Sequence, residues 1–425
     1  MTLTPWGDAT ELRSRRLRPG PGADPAAVTR NQRERMYAAM VAAVAENGYE
    51  GTRVADVVKL SGVSRSAFYR HFEDKLDCFL ATLDELAKLA NAELGKRYDA
   101  SLPWEQRLRT AADGFLDLLL EQPAAARFCL VEVYAAGGPA VERLERAVAA
   151  VEDVVVAAFK ESRERSGIPR DIVRAVVGGI RKTIHTRVRC GNQADLIDQL
   201  PQLIDWGLSY AAPPDRLKRP RRKPDRGAAP QPDHAIPRER LVTAITETIA
   251  ERGYPDATII EIAERASASL STFYGNFENK EEALLAALDR EREQSLVAAA
   301  TAVAAAPDWP ASVRDGIDAL FGFFAAEPAA ASIAIVDAFT AGAEGLEGGD
   351  RTIWAFHVFL EGGRELAPDT TPLVSEAIGN AIYSLVYGQI RRDRVERMRE
   401  LTPLACFLAL APFTGAAAAC AAANG

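Results

Sequence analysis

The chain repeats itself. Shifted by 205, residues 33–80 fall on residues 238–285 without a gap, and sixteen of the forty-eight positions are identical. Arg33-Glu34-Arg35 meets Arg238-Glu239-Arg240, Gly48-Tyr49 meets Gly253-Tyr254, and Ser64 and Ser66 meet Ser269 and Ser271. Phe68-Tyr69 meets Phe273-Tyr274, Phe72-Glu73 meets Phe277-Glu278, and Lys75 meets Lys280. Near the ends a shift of 202 places Ile180, Pro201 and Leu208 on Ile382, Pro403 and Leu410. A unit of roughly 200 residues has been duplicated in tandem, so one architecture must serve both halves.

That architecture is all-α. Aromatics make up 7% of the residues, alanine is abundant and β-branched alternation is scarce, which removes the period-2 signal of strands. Met36, Met40, Val41 and Val44 recur at helical spacing, and Gly48 follows where a helix would end. Thr52 opens the next helix, with Val54, Val57, Val58 and Leu60 as apolar positions. In Ser61–Lys75, Ser64 is placed to cap a short helix just after the turn residue Gly62. Phe68 and Phe72, four apart, share one buried face. Arg65, Ser66, Tyr69 and Arg70 fall on the other faces. A short helix carrying outward arginine, serine and tyrosine suits a DNA major groove, although an ordinary solvated helix shows similar residues. A long helix follows to about residue 98, then roughly five amphipathic helices between residues 103 and 212, separated at Pro123, Gly137-Gly138-Pro139, Ile168-Pro169 and Gly191-Asn192.

These patterns divide the chain. Residues 1–30 are expected to be a disordered basic arm, with Arg13, Arg15, Arg16 and Arg18 before Pro19-Gly20-Pro21-Gly22. Residues 31–80 are expected to be the first DNA-binding domain and 81–212 the first helical domain. Residues 213–236 hold seven basic and three acidic side chains and many prolines, and are expected to be a linker. Residues 237–286 and 287–425 repeat the two domains.

The net charge of −8 confines any contact with nucleic acid to local surfaces. Five scattered cysteines, odd in number and without C-x-x-C spacing, fit a reducing cytoplasm. Residues 401–425 carry no charge and are long enough to span a bilayer. Pro403, Pro412, Gly415 and the weakly apolar alanines point instead to a buried closing helix with a frayed tail. There is no Gly-rich phosphate loop and no H-E-x-x-H, and only four histidines are present. The expectation is a protein that is not an enzyme and needs no metal or cofactor.

Gly48-Tyr49, Thr52, Val54, Gly62-Val63-Ser64, Phe68-Tyr69, His71-Phe72 and Asp74-Lys75 closely resemble the DNA-binding domain of the tetracycline-repressor (TetR) family. The resemblance covers about fifty residues in each repeat. It implies a three-helix helix-turn-helix domain followed by a helical ligand and dimerisation domain, and a double-stranded DNA operator as partner. It further implies pairing through the last two long helices of each unit, which two linked copies can build within one chain as an intramolecular pseudo-dimer. Further homodimerisation stays open.

Residue chemistry and the resemblance agree on roles. Arg65 can hold guanine O6 and N7, and Ser64, Ser66 and Tyr69 lie on the same short helix. His71 stands at its end. Thr52 and Lys75 are placed at helix starts where a phosphate can be held. In the second unit Ser269, Ser271, Thr272, Tyr274, Asn276 and Lys280 remain usable, with departures. Gly62 becomes Ser267, which costs about 1–2 kcal/mol if φ is positive there. Arg65 becomes Leu270, which can touch only a thymine methyl. Residues 31–80 have seven basic and seven acidic side chains, whereas residues 237–286 have five and nine. The second reader is expected to be weaker and to prefer a different half-site. In an alternative reading, the protein is a DNA-binding architectural or adaptor protein whose second unit serves only pairing. Candidate ligand residues are Tyr134, His185 and Trp206 in the first unit and Trp354, His357, Tyr383 and Tyr387 in the second, for a small apolar, aromatic or acyl effector. Such rings more often belong to a core than to a pocket.

Overall fold

The computed structural model describes residues 2–17, 24–218, 236–254, 256–335 and 359–425. Helix follows helix. In the first repeat these are α1 (Pro25–Gly51), α2 (Val54–Ser61), α3 (Arg65–His71), α4 (Lys75–Arg97), α5 (Trp104–Glu121), α6 (Pro123–Arg127), α7 (Val133–Ala135), α8 (Gly138–Phe159), α9 (Arg170–Arg189) and α10 (Leu196–Ser209). A π-helical turn, Phe128–Glu132, joins α6 to α7. The second repeat gives α11 (Pro237–Arg252), α12 (Ile259–Arg265), α13 (Leu270–Tyr274), α14 (Lys280–Ala304), α15 (Trp309–Ala326), α16 (Pro328–Ile335), α17 (Pro372–Ile390) and α18 (Thr402–Asn424).

The chain forms two compact units, Met1–Glu161 with Thr183–Ile204, and Ser162–Lys182 with Asp205–Gly425. Residues 162–182 and 205–212 belong to the first repeat by sequence, yet pack with the second. Small residues permit this. A Cβ on Gly178 would lie 2.6 Å from Ser384 Cβ, and one on Gly179 would lie 2.7 Å from the Ala377 carbonyl oxygen, so α9 approaches α17 at backbone contact. Tyr210, 1% exposed, donates its hydroxyl to Leu408 O at 2.8 Å. Burial pushes its phenol well above the usual range.

Each helix-turn-helix segment has its own core. In the first, Met36, Met40, Val44, Val57, Phe68, Phe72 and Phe79 are buried together. In the second, Leu241, Ile245, Ile249, Ile262, Phe273 and Phe277 take the equivalent places. Burial pushes the Cys129 and Cys406 thiols up to about 12, which keeps them protonated and unreactive.

Three expectations need correction. Residues 2–17 are ordered, where a disordered arm was expected. Leu3–Thr4 pairs antiparallel with Gly7–Asp8, Leu12 is buried, and the Trp6 ring lies 5.4 Å from Tyr37. Arg13 donates from Nε to Lys59 O at 2.9 Å, and Arg15 donates to Trp6 O. Two of the four arginines are thus spent on carbonyls, and the apolar anchors Trp6 and Leu12 have no helical period to reveal them. Residues 213–218, at the start of the expected linker, lie against α18, where Lys218 N donates to Asn424 Oδ1 at 2.7 Å; residues 219–235 fall outside the described residues. Finally, the alanine tail does not fray. It stays helical to Asn424 beyond a break at Gly415 (φ 78°), because alanine is the best helix former and its small side chain packs closely. Residues 395–424 are apolar enough to cross a membrane, but 56% of the most apolar window is buried inside the protein.

Candidate nucleic-acid interface

The first reader is built by local chemistry. At the end of α2, Gly62 takes a left-handed backbone (φ 64°), and its N–H donates to Val58 O at 3.1 Å. Ser64 caps α3, its Oγ accepting from Ala67 N at 3.1 Å and lying 3.0 Å from Ser66 Oγ. Phe68 and Phe72 turn inward with centroids 5.5 Å apart. Arg65, Ser66, Tyr69 and Arg70 are exposed, and the Arg65 guanidinium lies 5.8 Å from the Tyr69 ring centroid. A buried aromatic face thus holds an outward basic and aromatic one, the arrangement that enters a major groove.

Two predicted contacts do not lie on that outward face. Thr52 is 1% exposed and donates its hydroxyl to Gly48 O at 2.7 Å. Lys75 points inward, its Nζ 2.8 Å from Tyr49 O and 4.0 Å from the Tyr49 ring centroid. Desolvation holds its pKa below the usual lysine range, against the opposing pull of Glu50. Lys280 repeats this, donating to Tyr254 O at 2.7 Å and Ala257 O at 2.8 Å. Both lysines secure the chain after the first helix of their domain, and the residue patterns at a helix start did not distinguish that from holding a phosphate. His71 is half-buried, 3.0 Å from Gln32 Oε1, and desolvation with the nearby Arg33 and Arg70 holds its pKa below the usual histidine range.

The second reader has the same frame and a different face. Ser267 adopts φ 50°. Ser269 caps α13, accepting from Thr272 N at 3.0 Å, with Thr272 Oγ1 2.9 Å away. Phe273 and Phe277 are buried, with centroids 5.7 Å apart. Leu270 (45%) and Tyr274 (57%) are exposed, as is Ser271. Asn276 donates to Thr272 O at 2.8 Å. The cation on α12, Arg265, is paired with Glu251 at 2.8 Å and with Glu247 at 3.6 Å.

The predicted ligand residues fall into separate groups. Tyr134 meets His185, which is 3% exposed, edge-on at 5.5 Å in one unit. Trp206 packs edge-on against Tyr210 at 5.7 Å in the other. There Tyr383 and Tyr387 stack at 6.5 Å, and the Tyr383 hydroxyl donates to Ile335 O at 2.7 Å. Trp354 and His357 lie outside the described residues. A small crevice lined by Leu94, Arg97, Tyr98 and Arg107, among others, includes none of the seven. Among the described residues no cluster of three or more His, Cys, Asp or Glu is placed to hold a metal.

Sequence reasoning placed Arg13 in a basic arm but missed that it braces the end of α2, and it missed Glu132, which is 6% exposed and accepts from Tyr49 N at 2.9 Å. No local pattern reveals either contact, because each partner lies tens of residues away in the chain.

The model of the family "Bacterial regulatory proteins, tetR family" matches residues 37–82 and 241–288. The HTH-type transcriptional regulator CymR of Pseudomonas putida is 37% identical over 87 residues, 20% of this chain and 43% of CymR. The chain thus spans less than half the length of that curated relative. Two solved structures similar to the chain are a fatty acid degradation regulator, FadR, and a transcriptional regulator also named FadR. The one from Bacillus halodurans is 18% identical (TM-score 0.39; 42% of this chain, 97% of that one). The one from Bacillus subtilis, in complex with stearoyl-CoA, is 16% identical (TM-score 0.37; 42% and 98%). Each repeat therefore carries one segment, residues 37–82 and 241–288, that matches the tetR family of bacterial regulatory proteins.

Proposed function

We propose that the protein is a ligand-responsive transcriptional repressor that reads an asymmetric operator with two unequal recognition helices. One observation carries this reading. Arg65 and Leu270 occupy the same first position of α3 and α13, both are exposed, and only the arginine can hydrogen-bond a base. The surroundings point the same way, since the second domain carries an excess of four acidic side chains and the first carries none.

The packing of residues 162–182 and 205–212 with α17 and α18 supports pairing of the two repeats within one chain. The contacts of Gly179 with Ala377 and of Tyr210 with Leu408 are those of a tight helix bundle. In this reading one chain serves as the pseudo-dimer, works in the bacterial cytoplasm and sits on the nucleoid when bound. Its effector is a small apolar, aromatic or acyl molecule, supported by the rings of Tyr134, Trp206, Tyr383 and Tyr387 inside the helical domains. Such a molecule acts only by binding one arrangement of the readers better than another.

The exposed leucine and the acidic balance of the second domain also favour an adaptor whose second unit serves only pairing. Selection of bound sequences from random DNA, followed by footprinting of the intact chain, separates the two. The proposed reading expects protection of two unlike half-sites by one chain per operator. A perfect palindrome protected equally on both sides would remove the asymmetry, and protection of a single half-site would favour the adaptor.

A further inference from the structure

We propose that Glu132 is the positioning residue that ties the first reader to its helical domain, so that the shape of the π-helical turn sets where α3 can lie. This rests on the DNA-reading function proposed above.

The tie begins at Gly48, where the backbone of α1 is broken (φ 68°, ψ 169°). The break takes the Tyr49 N–H out of the helical ladder, and a buried N–H needs an acceptor. Glu132 supplies it from 83 residues away, with Oε2 at 2.9 Å. The other carboxylate oxygen lies 3.2 Å from Arg127 Nε. A buried carboxylate is tolerated only with such partners.

The carbonyl of the same residue, Tyr49, is held from the reader's side by Lys75 Nζ at 2.8 Å. Lys75 opens α4, three residues after Phe72, the residue that caps the C-terminal end of α3. Tyr49 is therefore grasped at its N–H by the helical domain and at its C=O by the reader. Rings reinforce the junction. Tyr49 meets Phe79 edge-on at 5.0 Å, and Phe79 stacks on Phe128 at 4.1 Å.

Phe128 and Glu132 are the first and last residues of the π-helical turn. A π turn holds one residue more than an α-helix of the same rise, and such turns favour functional sites. Relaxing it to α would rotate Glu132 by about one residue's turn, roughly 100°, and withdraw the carboxylate from Tyr49. Tyr134, two residues on, packs against His185, so a change around that ring pair has a short route to the turn. The offset of 205 places Asp337 opposite Glu132 in the second repeat, a carboxylate again.

The test uses the intact chain and its selected operator with Glu132→Ala and Glu132→Gln. Operator affinity is measured together with amide hydrogen exchange and thermal unfolding. Glu132→Ala is expected to bind the operator about tenfold more weakly, the scale of one lost hydrogen bond to a charged group. It should also exchange faster at residues 48–52 and in α3, with α8 unchanged, which a general loss of stability would not produce. Glu132→Gln keeps an acceptor and should stay near the parent. If Glu132→Ala does not fold, Glu132→Asp, which keeps the charge but shortens the reach, should show the same localised exchange. A folded Ala or Asp variant with parental exchange in α3 overturns the proposal. Exchange does not depend on DNA, so it still tests the tie should the parent protect no operator.

Discussion

Gly62 and Ser267 hold the same left-handed backbone in the turns before the two recognition helices, at φ 64° and 50°. The turn needs that conformation whatever residue occupies it, and a side chain there is strained. The second reader keeps its frame despite a residue that opposes it.

Replacing Ser267 by glycine is therefore expected to stabilise the second domain by about 1 kcal/mol. The opposite change, Gly62→Ala, should cost more than the strain alone, because its Cβ would meet Arg13 Cγ at 2.9 Å. Urea unfolding of the two variants beside the parent gives both values.

Arg65→Ala should flatten one guanine position in sequences selected from random DNA, with about 1–3 kcal/mol of discrimination lost there. The other half-site should keep its preference. An unchanged motif would take Arg65 out of the interface.

At Leu270 the only base feature within its chemistry is the thymine methyl. Replacing thymine by deoxyuridine in the second half-site should weaken binding several-fold, on the order of 1 kcal/mol or less for one methyl group. In Leu270→Ala the same replacement should have no effect. Titration of four operator–protein combinations closes the cycle.

His71 should make the first domain sensitive to acid. Burial, Arg33 and Arg70 hold its folded pKa below the ordinary value, so the unfolded chain takes up the proton first as pH falls. Stability is full above the unfolded value of about 6.5 and declines from there down to the folded value. His71→Asn, the residue found at Asn276 in the second reader, should flatten the dependence between pH 7 and 5 when unfolding is followed across that range.

Gly179→Ala should destabilise the unit that contains α9 and α17 by about 1–3 kcal/mol, the usual cost of overpacking, because its Cβ would lie 2.7 Å from the Ala377 carbonyl oxygen. Tyr210→Phe should cost about 1 kcal/mol for the hydrogen bond to Leu408. Calorimetry of each variant provides the check.

Much of the reader was legible in the residues. Ser64 and Ser269 cap their helices, Phe68, Phe72, Phe273 and Phe277 turn inward, and Arg65, Tyr69, Leu270 and Tyr274 turn outward. These are consequences of helical period and capping, which act within four residues. Arg13, Thr52 and Lys75 read differently in the fold because each is spent on a backbone carbonyl. Helical period places a side chain on a face but does not reveal a carbonyl beside it.

The residues alone establish that one helical unit is used twice and that its two candidate recognition helices differ at Arg65 and Leu270. That the first repeat's residues 162–182 and 205–212 pack with the second repeat, and that Glu132 reaches Tyr49, emerges only on folding. Period, caps and identity are local properties of the chain, whereas packing depends on which apolar faces and unpaired backbone groups meet once distant segments are brought together.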